Sequence, residues 1–214
     1  VLVDEVNRAT PKTQSALLEA MEERQVTVDG VTRPLPEPFM VIATQNNIEM
    51  TGTYPLPEAQ LDRFLARVSL GYPDRSSEAA ILTDQQTTHP LQTVSARATL
   101  AEISAAQAAV RKIFVHDSVK EYVVDVVRAT RDNAQLALGS SPRGSLYLML
   151  AGQARAGLEG SAFVTPDHIK AVAPLVLGHR VIVRAEARAR GATGPSIIQQ
   201  IMGTVATPTA FRPS

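Results

Sequence analysis

Residues 39–43, Phe-Met-Val-Ile-Ala, form an apolar run without alternation, bounded by Pro38 and by the polar stretch Thr44-Gln45-Asn46. A short, unbroken run of this kind reads as a strand covered on both faces, the type found in parallel sheets. Val1-Leu2-Val3 reads as the middle of a second buried strand, and it ends abruptly in Asp4-Glu5. A parallel α/β layer is therefore the expectation for the first third of the chain. Between the two runs, Thr10-Pro11 fits a helix cap followed by proline at the first helical position. That helix is expected to run to about Arg24, with Leu17, Leu18, Ala20 and Met21 as its apolar stripe.

Val26-Thr27-Val28-Asp29-Gly30-Val31-Thr32-Arg33 carries Asp-Gly between alternating segments, a strong hairpin signal. A two-residue turn would pair Val28 with Val31 and Thr27 with Thr32. Pro34, Pro36 and Pro38 force an extended connector into the 39–43 strand. After a loop with Gly52, Pro55 and Pro57 come a short helix over 58–63 and a third strand candidate over 64–70. Gly71-Tyr72-Pro73-Asp74 marks a boundary, beyond which only helices are expected. Thr99…Glu102 and Ser118…Glu121 both fit the capping-box spacing, and Ser141-Pro142 and Thr165-Pro166 open two further helices. Val119, Tyr122, Val123, Val126 and Val127 form one helical stripe. The expected layout is α/β over residues 1–72 and an all-α domain over 73–214.

Lys+Arg and Asp+Glu are both 21, so no global basic excess argues for nucleic acid. Cysteine is absent, which rules out disulfides and thiolate metal sites and fits a reducing, cytoplasmic compartment. No apolar run reaches the roughly 18 residues a membrane span needs. The chain opens on Val rather than Met, mid-strand, so it reads as a fragment.

Two carboxylates at the carboxyl end of a buried strand are costly unless they meet a cation or water. In open α/β sheets ligands sit at that end. Asp4 there can hold Mg²⁺ through water and Glu5 can orient and deprotonate an attacking water; alternatively the pair only ends the strand and caps the next element. Asn46, at the equivalent end of the second strand, can donate to a phosphate oxygen and accept from water, or be an ordinary turn residue. Arg63 can reach a transferred phosphoryl group, or pair locally with Asp62 or Glu58. Arg143 lies in the first turn of the helix opened by Ser141-Pro142, where a cation opposes the helix dipole unless an anion docks there. His89, His116, His168 and His179 show no metal spacing and read as surface or local hydrogen-bonding groups. Gly139, Gly144 and Gly157 read as helix-end or turn glycines.

Taken together, these segments resemble a family. VLVDEVNRATPKTQSALLEAMEERQVTVDG (1–30) is similar to the Walker B strand and following helix of MoxR-type AAA+ ATPases. MVIATQNNIEMTGTYPLPEAQLDRF (40–64) resembles the sensor-1 and arginine-finger stretch, and SPRG (141–144) the sensor-2 motif. The resemblance implies a truncated AAA+ P-loop NTPase parallel sheet followed by an all-α lid. It implies ATP and Mg as cofactors, with Asp4 holding Mg through water and Glu5 as the base. Asn46 would be sensor 1, and Arg63 the finger acting on a neighbour's ATP. Arg143 would be sensor 2, contacting its own subunit's ATP. Residues 25–34 would be the pore-facing hairpin. It also implies a homo-oligomeric ring, a hexamer, that remodels partner proteins, with von Willebrand A domain proteins as possible partners.

Two departures stand out. Asn47 occupies a position where the family more usually has Pro, and no G-x-x-x-x-G-K-[ST] occurs in the sequence. In the family that loop precedes the position of residue 1, and the sheet order is 5-1-4-3-2. Residues 1–3, 39–43 and 64–70 would then be strands 3, 4 and 5, with strand 1 missing between the last two. An open gap beside 39–43, or strand 5 displaced into it, is the expectation, together with poor solubility of the chain alone. Two other classes remain open: a nucleotide-dead interaction fragment, and a related AAA+ motor of the magnesium chelatase or helicase type.

Overall fold

The computed structural model describes residues 1–46, 53–86 and 89–211. Asn47 lies outside them. Strand β1 (Leu2–Val3) pairs in parallel with β4 (Ile42–Ala43), Leu2 opposite Ile42 and Val3 opposite Ala43. Between them, helix α1 (Pro11–Glu23) starts at Thr10, whose hydroxyl accepts from the Thr13 N–H. Strands β2 (Gln25–Val28) and β3 (Val31–Pro34) form the hairpin in the expected register, Val28 opposite Val31 and Thr27 opposite Thr32. Asp29 and Gly30 both have positive φ, 51° and 76°, as the turn that matches strand twist requires.

The sheet departs from expectation in two ways. Ile42 and Leu2 are 53% and 71% exposed, not buried on both faces. Residues 64–70 form no strand; after α2 (Glu58–Leu61) they run as irregular chain, with Leu70 96% exposed. One cause accounts for both. A strand is covered and satisfied only by neighbours, and among the described residues β4 has β1 alone. Beside β4 opens a cleft of about 570 Å³, with Val41–Gln45 on one wall and Ala66–Leu70 on the other. This is the expected gap.

Every described residue from Leu65 to Ala109 is exposed, including those of α3 (Arg75–Asp84) and all but the end of α4 (Leu100–Arg111). The packed core lies further on, in α5 (Asp117–Arg131), α6 (Pro142–Leu158), α7 (Pro166–Leu177) and α9 (Gly194–Thr204). The α5 stripe Val119, Tyr122, Val123, Val126 and Val127 is buried throughout, as its periodicity predicted. Close approach of α6 and α7 needs Gly152, because a Cβ there would sit 2.4 Å from the Ile169 δ-carbon. Two short strands, β5 (Leu136–Leu138) and β6 (Ile182–Val183), pair antiparallel within this helical lid, and α8 (Ala185–Ala189) follows them.

The α5 cap is His116, not Ser118; its ring nitrogen accepts the Ser118 N–H, so Ser118 lies inside the helix. His168 completes the capping box of Thr165 and pairs with Glu159 at 2.9 Å. Among the described residues, no helix is long and apolar enough to cross a membrane.

Candidate functional site

The acidic end of β1 is tied to the end of β4. The Val6 N–H donates to the Thr44 carbonyl and the Thr44 N–H to that of Val3, each at 2.9 Å, which continues the parallel pairing beyond the strands. The Thr44 hydroxyl then donates to Asp4 Oδ1 at 2.5 Å and accepts the Glu5 N–H at 2.9 Å. Asp4 is exposed and Glu5 half-buried. Glu5 has φ 47° and ψ 53°, a left-handed conformation uncommon for a residue with a Cβ, and its carboxylate meets Arg8 at 2.9 Å. The strain turns the chain sharply after the strand, so that Asp4 and Glu5 stand side by side at the sheet's carboxyl end. The Asn7 amide donates to the Asn46 carbonyl at 3.2 Å, bringing Asn46 to the same end.

Gln14, 3% exposed, holds this loop to α1 by donating to the carbonyls of Val6 and Tyr54 at 3.1 and 2.9 Å. No sequence pattern signals that role, since a glutamine in a helix's first turn is usually solvated. Hard oxygen donors at a strand end, exposed and hydrogen-bonded on one side, fit Mg²⁺ held through water. Among the described residues no cluster of three or more His, Cys, Asp or Glu could hold a metal by itself.

The two arginines gather elsewhere. Arg63 pairs with Glu22 Oε2, and its guanidinium lies 3.4 Å from the Leu18 carbonyl. Arg143 pairs with the other oxygen of Glu22, Oε1, at 2.5 Å, and with Asp62 at 3.5 Å. Neither Asp62 nor Glu58 is the partner of Arg63. Glu22 lies in the last turn of α1 and Gln14 in its first, about 12 Å apart along the helix at 1.5 Å per residue, so the residue that anchors the acid-bearing loop and the carboxylate that holds the arginines stand at opposite ends of α1.

Asp62 is the second centre of this cluster. The Ser141 hydroxyl donates to both its oxygens, at 3.0 and 3.2 Å. That engagement explains why Ser141 starts α6 without capping it by its side chain. Arg180, with its side chain fully buried, brings Nε to 3.2 Å from Asp62 Oδ1, off the line of a hydrogen bond. It also stacks over the Tyr147 ring at 5.0 Å. Burial, partly offset by the Asp62 charge, pushes the Arg180 guanidinium down to about 10, where it is still charged at neutral pH. Beside it, burial and then the Arg180 charge push the His179 imidazole down to about 4.

Sequence reasoning thus located Arg63 and Arg143 but missed Glu22 and Arg180, and it named Asp62 only as a local partner. For Arg180 one signal existed: a cation three residues past the end of the apolar α7, near enough to complement its dipole.

With this geometry in view, the relatives are informative. Residues 1–66 match the ATPase family associated with various cellular activities (AAA), and residues 128–201 match the AAA lid domain. The chain is 48% identical over 208 residues to the uncharacterized protein YeaC of Bacillus subtilis (strain 168), covering 97% of this chain and 65% of that protein. It is 42% identical to Chaperone MoxR1 of Mycobacterium tuberculosis, covering 97% of this chain and 57% of MoxR1. A crystal structure of a candidate ATPase from Cytophaga hutchinsonii superposes with a TM-score of 0.89 at 36% identity, over 97% of this chain and 66% of that one. The chain belongs to the MoxR family of AAA+ ATPases, with a short parallel sheet and a helical lid. It spans 57–65% of the length of the two curated relatives named here.

Proposed function

We propose that the full-length protein hydrolyses ATP in a cytoplasmic ring of subunits, a hexamer, and uses the cycle to remodel partner proteins. The chaperone name of MoxR1 supports the remodelling half. A von Willebrand A domain protein is the partner class that the family resemblance suggests. Mg²⁺ would neutralise phosphate charge when bound.

Asp4, oriented by the Thr44 hydroxyl, would hold that cation through water. Glu5, whose carboxylate meets Arg8, would take the proton of the attacking water. Asn46 would orient that water or a phosphate oxygen.

One observation carries the intersubunit part: Arg63 and Arg143 share Glu22 at the end of α1 remote from Asp4 and Glu5. The arginines thus rest at the other end of α1 from the turn whose Gln14 anchors the acid-bearing loop. Arg63 is accordingly assigned to the neighbour's nucleotide. Because Arg143 stands on the same carboxylate, we assign it there too, in place of the own-subunit role that the resemblance alone implies.

Mixing variants of the full-length protein tests this. Glu5→Gln should keep ATP binding and lose hydrolysis. Arg63→Ala should lose about 10³-fold or more. Mixed rings of these two should regain activity, because some interfaces then combine an intact Glu5 with an intact Arg63. Arg63→Ala mixed with Arg143→Ala should not recover, since every subunit then presents a damaged arginine face. Recovery of that second mixture would return Arg143 to its own subunit's site, and wild-type turnover by Glu5→Gln would remove Glu5 as the base.

A further inference from the structure

Arg180 is the most deeply buried cation among the described residues, and it spends its donors on one short stretch of backbone. Nη2 donates to the carbonyls of Asp62, at 3.0 Å, and Phe64, at 2.5 Å, which are the residues on either side of Arg63. Nη1 donates to the Leu65 carbonyl at 3.2 Å and to that of Val176 in the last turn of α7. The charge is answered by the Asp62 carboxylate and by the Tyr147 ring. The same stretch meets the lid at two further points, the Phe64 carbonyl lying 3.1 Å from His179 Nε2 and the Arg67 N–H donating to the Leu175 carbonyl at 3.0 Å, so Arg180 is the centre of its attachment. The stretch's own helix, α2, is a single turn, and every described residue from Leu65 to Ala109 is exposed. A planar guanidinium that collects three carbonyls from this stretch fixes the direction in which Arg63 leaves the backbone, and a point charge cannot reproduce that.

Arg180 belongs to the lid; Arg63 does not. From this we propose that Arg180 is a positioning residue that sets the aim of Arg63 and makes that aim follow the position of the subunit's own lid. Ser141 and Arg143, also on the lid, close on the same Asp62 and reinforce the connection. Movement of the lid in one subunit then changes the cation offered to the next subunit's nucleotide. The proposal rests on the assignment of Arg63 as a finger.

The test is a double-mutant cycle in full-length rings, with kcat and KM for ATP measured on each species. Arg180→Lys keeps the charge and loses the fork. It should lower kcat by about 10²-fold, the cost of a misplacement of about 1 Å, and leave KM within about twofold. In an Arg63→Ala background the same change should have no further effect on kcat, because it acts through Arg63. Losses that multiply, or an Arg180→Lys ring that turns over at the wild-type rate while Arg63→Ala does not, would overturn the proposal. Wild-type turnover by Arg63→Ala would instead sink the finger assignment itself. If Arg180→Lys fails to fold, Asp62→Asn weakens the same clamp from the other side; because Asp62 also meets Arg143, its cycle is run in an Arg63→Ala, Arg143→Ala background, where it should have no further effect on kcat, and a further loss there would overturn the proposal.

Discussion

Gly144 stands in the first turn of α6, between the two lid residues that reach Asp62 and the body of the lid. Substituting alanine puts its Cβ 2.1 Å from Ser140 Oγ, 3.1 Å from a Leu177 methyl and 3.3 Å from Ser140 Cβ. Ser140 cannot step aside as a whole. Its N–H donates to Thr130 Oγ1 at 2.9 Å and its carbonyl accepts from Arg131 Nε at 3.0 Å. Overpacking of this kind costs about 1–3 kcal/mol, whereas Gly→Ala in a helix gains up to about 1 kcal/mol. The clash wins, and Gly144→Ala should be less stable by about 1–2 kcal/mol after that offset. Ser140→Ala removes the atom at 2.1 Å and, because its own hydrogen bond to the Ser141 carbonyl is long at 3.4 Å, should itself cost little. In the Ser140→Ala background, Gly144→Ala should therefore be close to neutral, a coupling of about 1–2 kcal/mol. Urea denaturation followed by circular dichroism on the four species measures this. Equal cost in both backgrounds, or a stabilising Gly144→Ala on its own, would show that packing against Ser140 does not explain this glycine.

Three further outcomes are expected. Leu148→Ala empties a fully buried position of the lid core and should cost about 2.7–5 kcal/mol in the same assay, with a loss under about 1 kcal/mol arguing that α6 is not packed as described. His179 is neutral in the folded chain down to about pH 4, whereas the unfolded chain protonates it near 6.5. The stability it confers is full above 6.5 and is lost as pH falls toward 4, so His179→Gln should flatten the urea-midpoint profile across that window and leave it unchanged above pH 7. Glu22→Gln breaks two ion pairs between side chains that are each about one-third exposed. It should cost no more than about 1–2 kcal/mol of stability, since such pairs contribute roughly 0–1 kcal/mol each; a larger loss would mean that Glu22 is structural beyond these pairs.

How far the sequence could be read depended on whether an element answers to its own residues or to its neighbours. The α5 stripe and the Asp-Gly hairpin are local patterns with one low-energy solution, and both were legible to the residue. The 39–43 run carried the right signal for a parallel strand, yet its burial depends on strands that periodicity cannot supply, and Ile42 stays exposed. The 64–70 alternation failed for the same reason. Without a ladder beside it the segment forms no strand, and Arg180 takes its first carbonyls instead. The candidate site was legible where chemistry sits at a strand end, as at Asp4 and Glu5. Glu22 and Arg180 were not legible, because a surface glutamate and a helix-end arginine look the same in sequence whether they meet solvent or a residue far along the chain. Ser118 shows the limit of motif spacing: the S-x-x-E pattern is present, but His116 two residues earlier takes the cap.

The organisation of α1 gives these pieces a common reading. Its first turn is anchored by Gln14 to the loop that carries the acids, and its last turn carries Glu22, the carboxylate on which both arginines rest. With the acid-bearing loop anchored at one end of this helix and the cations at the other, the helix does not by itself bring them onto one phosphate within a subunit. Two subunits placed in succession can, because the cationic end of one then faces the acidic end of the next. Each end also carries its own ion pairs: Arg8 meets Glu5, and Glu22 meets Arg63 and Arg143. These pairs are partly exposed and individually weak, and on the proposed assignment a neighbouring triphosphate would compete with Glu22 for the arginines. On that assignment Glu22 would set how readily the arginines are released, and Arg180 where Arg63 points.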